Sequence, residues 1–117
     1  MNLNEVTYSS GVPVDGYGPT YWTIGARRWD GAVLILPTGP ARWTPGDAAP
    51  FLAAAEIIDV LLLGTGARIA HAPHDFRAAL EKAGVGVEVM ASPQAARTYN
   101  VLLGEGRRVG VALMPLD

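Results

Sequence analysis

Val60-Leu61-Leu62-Leu63-Gly64-Thr65-Gly66 is a short, wholly apolar run closed by a glycine-flanked turn. It has no polar face and is too short for an ordinary helix, so it reads as a strand buried on both sides. Such a strand needs covering elements, and its neighbours supply them. Downstream, Pro73 opens a helix whose apolar stripe is Phe76, Ala79, Leu80 and Ala83, with Gly84 as the stop. Val85 to Met90 is the next strand, and Ser92-Pro93 combines a capping residue with a first-turn proline. A helix through about Leu103 follows, ended by Gly104, and Val109 to Met114 is the last strand, closed by Pro115. Upstream, Thr44-Pro45-Gly46-Asp47 has the form of a helix start, with Thr44 as cap. Phe51, Leu52, Ala55 and Ile58 then fall on one helical face. Strands alternating with helices imply crossovers onto one sheet, the pattern of an α/β fold.

The first part of the chain is β-rich. Val6 to Ser9 is a short extended candidate, and Gly11 to Pro19 is dense in glycine and proline and reads as a loop. Tyr21-Trp22-Thr23-Ile24 and Ala26-Arg27-Arg28-Trp29 mix aromatic and polar residues. Asp30-Gly31 before the apolar run Ala32 to Leu36 is a two-residue hairpin signal, and Pro37-Thr38-Gly39-Pro40 ends that strand. The hairpin makes the sheet mixed, or adds a smaller second sheet. With no internal repeat, linker or low-complexity tract, residues 1–117 are expected to form one domain.

Composition narrows the function. Of 117 residues, half are hydrophobic and 17% are charged, which argues for a folded core rather than disorder. The net charge of −2 argues against a broad grip on nucleic acid or anionic membranes. The absence of cysteine excludes disulfides, thiolate catalysis and zinc ribbons within the chain. The N-terminus has neither a signal-peptide pattern nor an Arg-rich presequence, and no apolar run approaches the roughly 20 residues that span a bilayer. The expectation is a cytoplasmic protein that does not insert into membranes.

Gly64-Thr65-Gly66 lies where a buried strand ends, and such ends are where α/β sheets build crevices. Its N–H groups suit an anion, or they form a plain strand exit. It is neither a dinucleotide fingerprint nor a Walker loop, since Ile69 takes the third glycine's place and no Gly-Lys-Ser/Thr follows. His71 and His74, with Asp75, offer an acid–base group or are surface histidines near a helix start; a metal would need more ligands, and Pro73 makes their spacing non-helical. No Gly-x-Ser-x-Gly elbow supports an acyl enzyme. Thr98-Tyr99-Asn100 places polar groups in an apolar helix, and Glu105 and Arg107 flank Gly106 at its end. Asn100, Glu105 and Arg107 either converge with His71 on the crevice near Gly64 or satisfy loop backbones. The aromatic residues Tyr17, Tyr21, Trp22, Trp29 and Trp43 either line a binding surface or seal the small sheet.

Glu88-Val89-Met90, Ala95-Ala96-Arg97-Thr98-Tyr99-Asn100-Val101-Leu102 and Glu105-Gly106-Arg107-Arg108-Val109 closely resemble one family. It is that of the mitochondrial NADH:ubiquinone oxidoreductase (complex I) assembly factor, with an adipogenesis-associated relative and many bacterial and archaeal proteins of unknown function. Asp30-Gly31 and Gly64-Thr65-Gly66 also match its pattern, so the resemblance covers nearly the whole chain. It implies a three-layer α/β domain with a mixed central sheet, no established catalytic activity, and work through protein contacts. The lack of a presequence points to a bacterial member.

Two readings of function follow. The first is a non-enzymatic assembly or interaction factor with protein partners, expected to show an exposed apolar patch around Trp22, Trp29 and Trp43. The second is a small-molecule or anion-binding domain, with or without catalysis. Its pocket would gather Gly64, Thr65, Gly66, His71, Asn100, Glu105 and Arg107. Neither calls for a cofactor or a metal, and nucleic acid is disfavoured as a partner.

Overall fold

The computed structural model describes residues 11–117; the extended candidate Val6 to Ser9 lies outside them. A five-stranded sheet runs in the order β5 (Gly39–Arg42), β4 (Val33–Leu36), β8 (Val109–Leu113), β6 (Val60–Gly64), β7 (Gly86–Met90). β6 is parallel to both β7 and β8, whereas β4 is antiparallel to β8 and β5. The central sheet is therefore mixed.

The decisive run behaves as its composition requires. Leu61 and Leu63 enter one core with Leu34, Leu36 and Ala112, while Leu62 enters the other with Val33, Ile35 and Val111. Successive side chains point to opposite faces of a strand, so a strand covered on both sides must be apolar throughout. The first face is covered by α1 (Ala49–Ala53) and α2 (His74–Lys82) through Phe51, Phe76 and Leu80, with Ile58 added by the segment after α1. The second is covered by α3 (Ser92–Gly104) through Ala95, Ala96, Tyr99 and Leu103. The result is the expected three layers.

The same second face carries a separate antiparallel sheet of β1 (Val14–Gly18), β2 (Tyr21–Ile24) and β3 (Arg27–Asp30). Here the sequence expectations need correction. Gly11 to Pro19 is not simply a loop, because Val14–Gly18 pairs with β2 across an irregular register. The hairpin turn is Gly25-Ala26, with φ of 59° and 62°, not Asp30-Gly31. Two successive positive φ values match the right-handed twist of paired strands. Asp30-Gly31 instead hands the chain from the small sheet to the large one, with the Gly31 N–H donating to the Thr20 carbonyl at 2.9 Å. β4 is buried at every position and must lie inside the large sheet, so it cannot partner the exposed β3. Pro37-Thr38 turns into the further strand β5.

Two helix starts also differ. Thr44 caps nothing: α1 begins at Ala49, whose N–H is accepted by the Asp47 carboxylate at 3.0 Å. α1 also ends at Ala53, so of the expected face only Phe51, buried, and Leu52, exposed, lie on the helix, while Ala55 and the buried Ile58 belong to the segment that follows it. Ser92 lies inside α3, and its hydroxyl is used elsewhere.

Candidate functional site

The carboxyl ends of β6, β7 and β8 share one edge of the large sheet, where Gly64 is level with Met90 and Leu113. Ser92 ties this edge together. Its hydroxyl accepts the Gly66 N–H at 2.7 Å and donates to the Met114 carbonyl at 2.7 Å, while its own N–H donates to the Gly66 carbonyl at 2.8 Å. A Cβ on Gly64 would lie 2.8 Å from the Ser92 Cα, so only glycine lets the first turn of α3 rest against β6.

Thr65 holds the long connection to α2. Its Oγ1 donates to the Arg68 carbonyl at 2.8 Å and accepts the Ala70 N–H at 2.9 Å, and its N–H donates to the Met90 carbonyl at 3.0 Å. The N–H groups of Thr65 and Gly66 are thus already bonded within the protein, so the turn is a strand exit rather than an open anion cradle. The connection passes over a cleft of about 300 Å³ beside Trp43, Leu63, Phe76 and Met114, with Thr65, Ala70 and His71 at its border. A smaller hollow shares Ala70 and His71 and reaches Val89 and Arg77.

Of the residues singled out from sequence, the fold groups Gly64, Thr65 and Gly66 with His71 and takes the others elsewhere. Asn100 faces β1: its carboxamide accepts the Val14 N–H and donates to the Val14 carbonyl, both at 2.8 Å. Beside it Tyr99, fully buried, donates to the Val12 carbonyl at 2.9 Å. Glu105 and Arg107 are exposed at the other end of α3, just before Val109, which pairs with Val60 at the start of β6. The whole of β6 separates them from Gly64, so the convergence considered from sequence does not occur. Gly106, at φ 78°, closes the helix by donating to Leu103, and Arg107 donates to Leu102.

The aromatic patch is also corrected. Trp22 is wholly buried on the α3 side, whereas Trp43 is buried on the opposite side with Phe51 and Phe76, and only Trp29 is half-exposed. The large apolar side chains that do reach solvent among the described residues, such as Tyr17, Leu52, Ile69 and Val101, sit on different elements. His74 and Asp75 form an exposed pair at 3.3 Å. Ser92 and Met114 escaped sequence reasoning because their partners are 26 and 22 residues from Ser92, a distance that no local pattern encodes.

Taken together, these features define a three-layer α/β domain with a mixed five-stranded sheet, a small sheet stitched to α3, and an apolar cleft at the carboxyl edge. The chain belongs to the DUF498 family, described as a protein of unknown function (DUF498/DUF598), whose model matches residues 14–114. It is 44% identical to an uncharacterized protein of Rhodobacter capsulatus, over 99% of this chain and 94% of that one. It is 31% identical to NADH dehydrogenase [ubiquinone] 1 alpha subcomplex assembly factor 3 of Danio rerio, over 98% of this chain and 71% of that protein. The resemblance drawn from the Thr-Tyr-Asn and Glu-Gly-Arg motifs is therefore borne out. Among solved structures, a Bartonella henselae protein described as an outer membrane protein superposes with a TM-score of 0.86 at 27% identity, covering 95% of this chain and all of that one. A Mth938-like domain of Bordetella pertussis gives 0.77 at 31% identity, covering all of this chain and 94% of that one.

Proposed function

We propose that the protein is a non-enzymatic assembly or interaction factor that works through contacts with other proteins in the cytoplasm. The observation that carries this reading is where the polar groups of its motifs go. Thr65, Ser92 and Asn100 bond to the backbone of their own chain and hold the connection after β6, the segment after β8 and strand β1 in fixed positions. Such an arrangement suits a rigid surface for partners better than a reacting centre, which needs groups free to meet a substrate. The assembly factor 3 of Danio rerio, similar over 98% of this chain, supports the same class of role. Among the described residues no helix is long and apolar enough to cross a membrane, in keeping with contacts made from outside the bilayer. In this reading residues 1–117 fold as one unit, and Gly64, Thr65, Gly66 and His71 are the part most suited to meet a ligand or partner.

The test is deletion of the gene in the native host, with the respiratory NADH dehydrogenase followed on native gels. The expected result is an accumulation of incomplete complex that co-migrates with the protein and disappears when the protein is restored. Full assembly in the deletion strain, with the protein migrating alone after cross-linking, would refute the reading.

A further inference from the structure

We propose that the cleft at the carboxyl edge of β6 and β8 binds a small, uncharged aromatic molecule of one or two fused rings. Its walls are apolar: Leu63, Met114 and the rings of Trp43 and Phe76, whose centroids lie 6.1 Å apart at 55°. Aromatic rings and a thioether favour a flat, polarisable guest. Among the described residues no carboxylate, lysine or arginine borders the cleft, so a charged guest would shed water without gaining a fixed counter-charge from them. The neighbouring N–H groups of Thr65 and Gly66 are bonded within the protein, which removes the usual means of holding an anion. His71, exposed at the border, is the one titratable side chain there among the described residues and offers a hydrogen bond to a single polar substituent.

Size sets the number of rings. The cleft measures about 300 Å³, against roughly 150 Å³ for an apolar cavity that takes up benzene. The walls are held by hydrogen bonds within the protein. Thr65 pins the covering connection through Arg68 and Ala70, and the Trp43 indole N–H is held by the Asp47 carbonyl at 3.0 Å. Apolar concavities at strand carboxyl ends are where α/β proteins most often hold small molecules. The inference goes beyond the protein-contact reading and does not depend on it.

The experiment titrates the intact protein with 2-naphthol, and with inorganic phosphate as the charged comparison. It follows the melting temperature and, by NMR, contacts between naphthol protons and the Met114 methyl. Saturating 2-naphthol is expected to raise Tm by a few degrees and to show those contacts, while phosphate does neither. Ala70→Phe, which fills the border from an exposed position, abolishes the shift while the protein's own Tm stays near the parent value. His71→Ala weakens 2-naphthol binding by up to about tenfold, the loss of one hydrogen bond. The proposal is overturned if 2-naphthol gives no shift, if its contacts fall elsewhere than Met114, if Ala70→Phe leaves binding unchanged, or if phosphate alone binds. The Met114 contacts decide the matter even if Ala70→Phe fails to fold.

Discussion

The carboxamide of Asn100 meets Val14 as a neighbouring strand would, accepting its N–H and donating to its carbonyl, each at 2.8 Å. Among the described residues β1 pairs with β2 alone, and one helical side chain bonds to its other edge, facing α3. Asn100→Ala strips both bonds from a half-buried backbone and should cost about 2–3 kcal/mol. Asn100→Asp keeps the acceptor but sets a carboxylate against the Val14 carbonyl, so it should not restore stability. Denaturant unfolding gives the magnitude, and faster hydrogen exchange at the Val14 amide gives the location. Equal exchange in parent and variant would show that the edge is held by something else.

Ser92 does the corresponding work at the carboxyl edge. Ser92→Ala leaves the buried Gly66 N–H without its acceptor and should lose about 2 kcal/mol. Gly64→Ala acts on the same contact sterically, since the added methyl would lie 2.8 Å from the Ser92 Cα and α3 must move, for about 1–3 kcal/mol. The double variant should lose less than the sum, because the two changes disturb one contact. Strict additivity would separate the two effects.

Ala26 is the one non-glycine residue with positive φ among the described residues, at 62° in the Gly25-Ala26 turn. A Cβ in that region costs about 1–2 kcal/mol, partly offset by the greater unfolded-state freedom of glycine. Ala26→Gly should therefore stabilise by about 0.5–1 kcal/mol, read as a rise in the urea midpoint at unchanged slope. A lower midpoint would mean that the turn is not strained.

Both sheets and α3 meet in one core through Val14, Trp22, Tyr99 and Leu62, and the large sheet carries the other core on its opposite face. The protein should accordingly unfold in a single cooperative transition, with the fluorescence of its buried tryptophans and far-ultraviolet circular dichroism coincident. Separate midpoints would divide the small sheet from the large one.

Arg107 should be dispensable for stability. It is exposed and its backbone N–H, not its guanidinium, makes the bond that closes α3. Arg107→Ala is expected to change stability by less than about 0.5 kcal/mol. A larger loss would indicate a role for the guanidinium beyond the helix end.

Local chemistry alone was enough to read much of this molecule. Val60 to Leu63 and Val109 to Leu113 are apolar at every position, and that continuity determined buried central strands with helices on both faces, hence the α/β class. Phe76 and Leu80, one helical turn apart, determined the buried face of α2, and Gly84 its end. What only the tertiary structure decided is which elements meet. Asp30-Gly31 and Gly25-Ala26 both suit a tight turn, and the choice between them rested on the need to bury both faces of β4 inside the large sheet. Ser92-Pro93 has the local form of a helix cap, yet the Ser92 hydroxyl goes to Gly66 and Met114 because the first turn of α3 packs onto Gly64. Asn100 and Arg107, seven residues apart on one segment, serve different ends of the molecule because a helix of 13 residues carries them apart. Patterns of burial are periodic and local, so the sequence determined the elements and their inward faces. Hydrogen-bond partners across 22 to 86 residues depend on how those elements pack, and so did the cleft and the group of residues beside it.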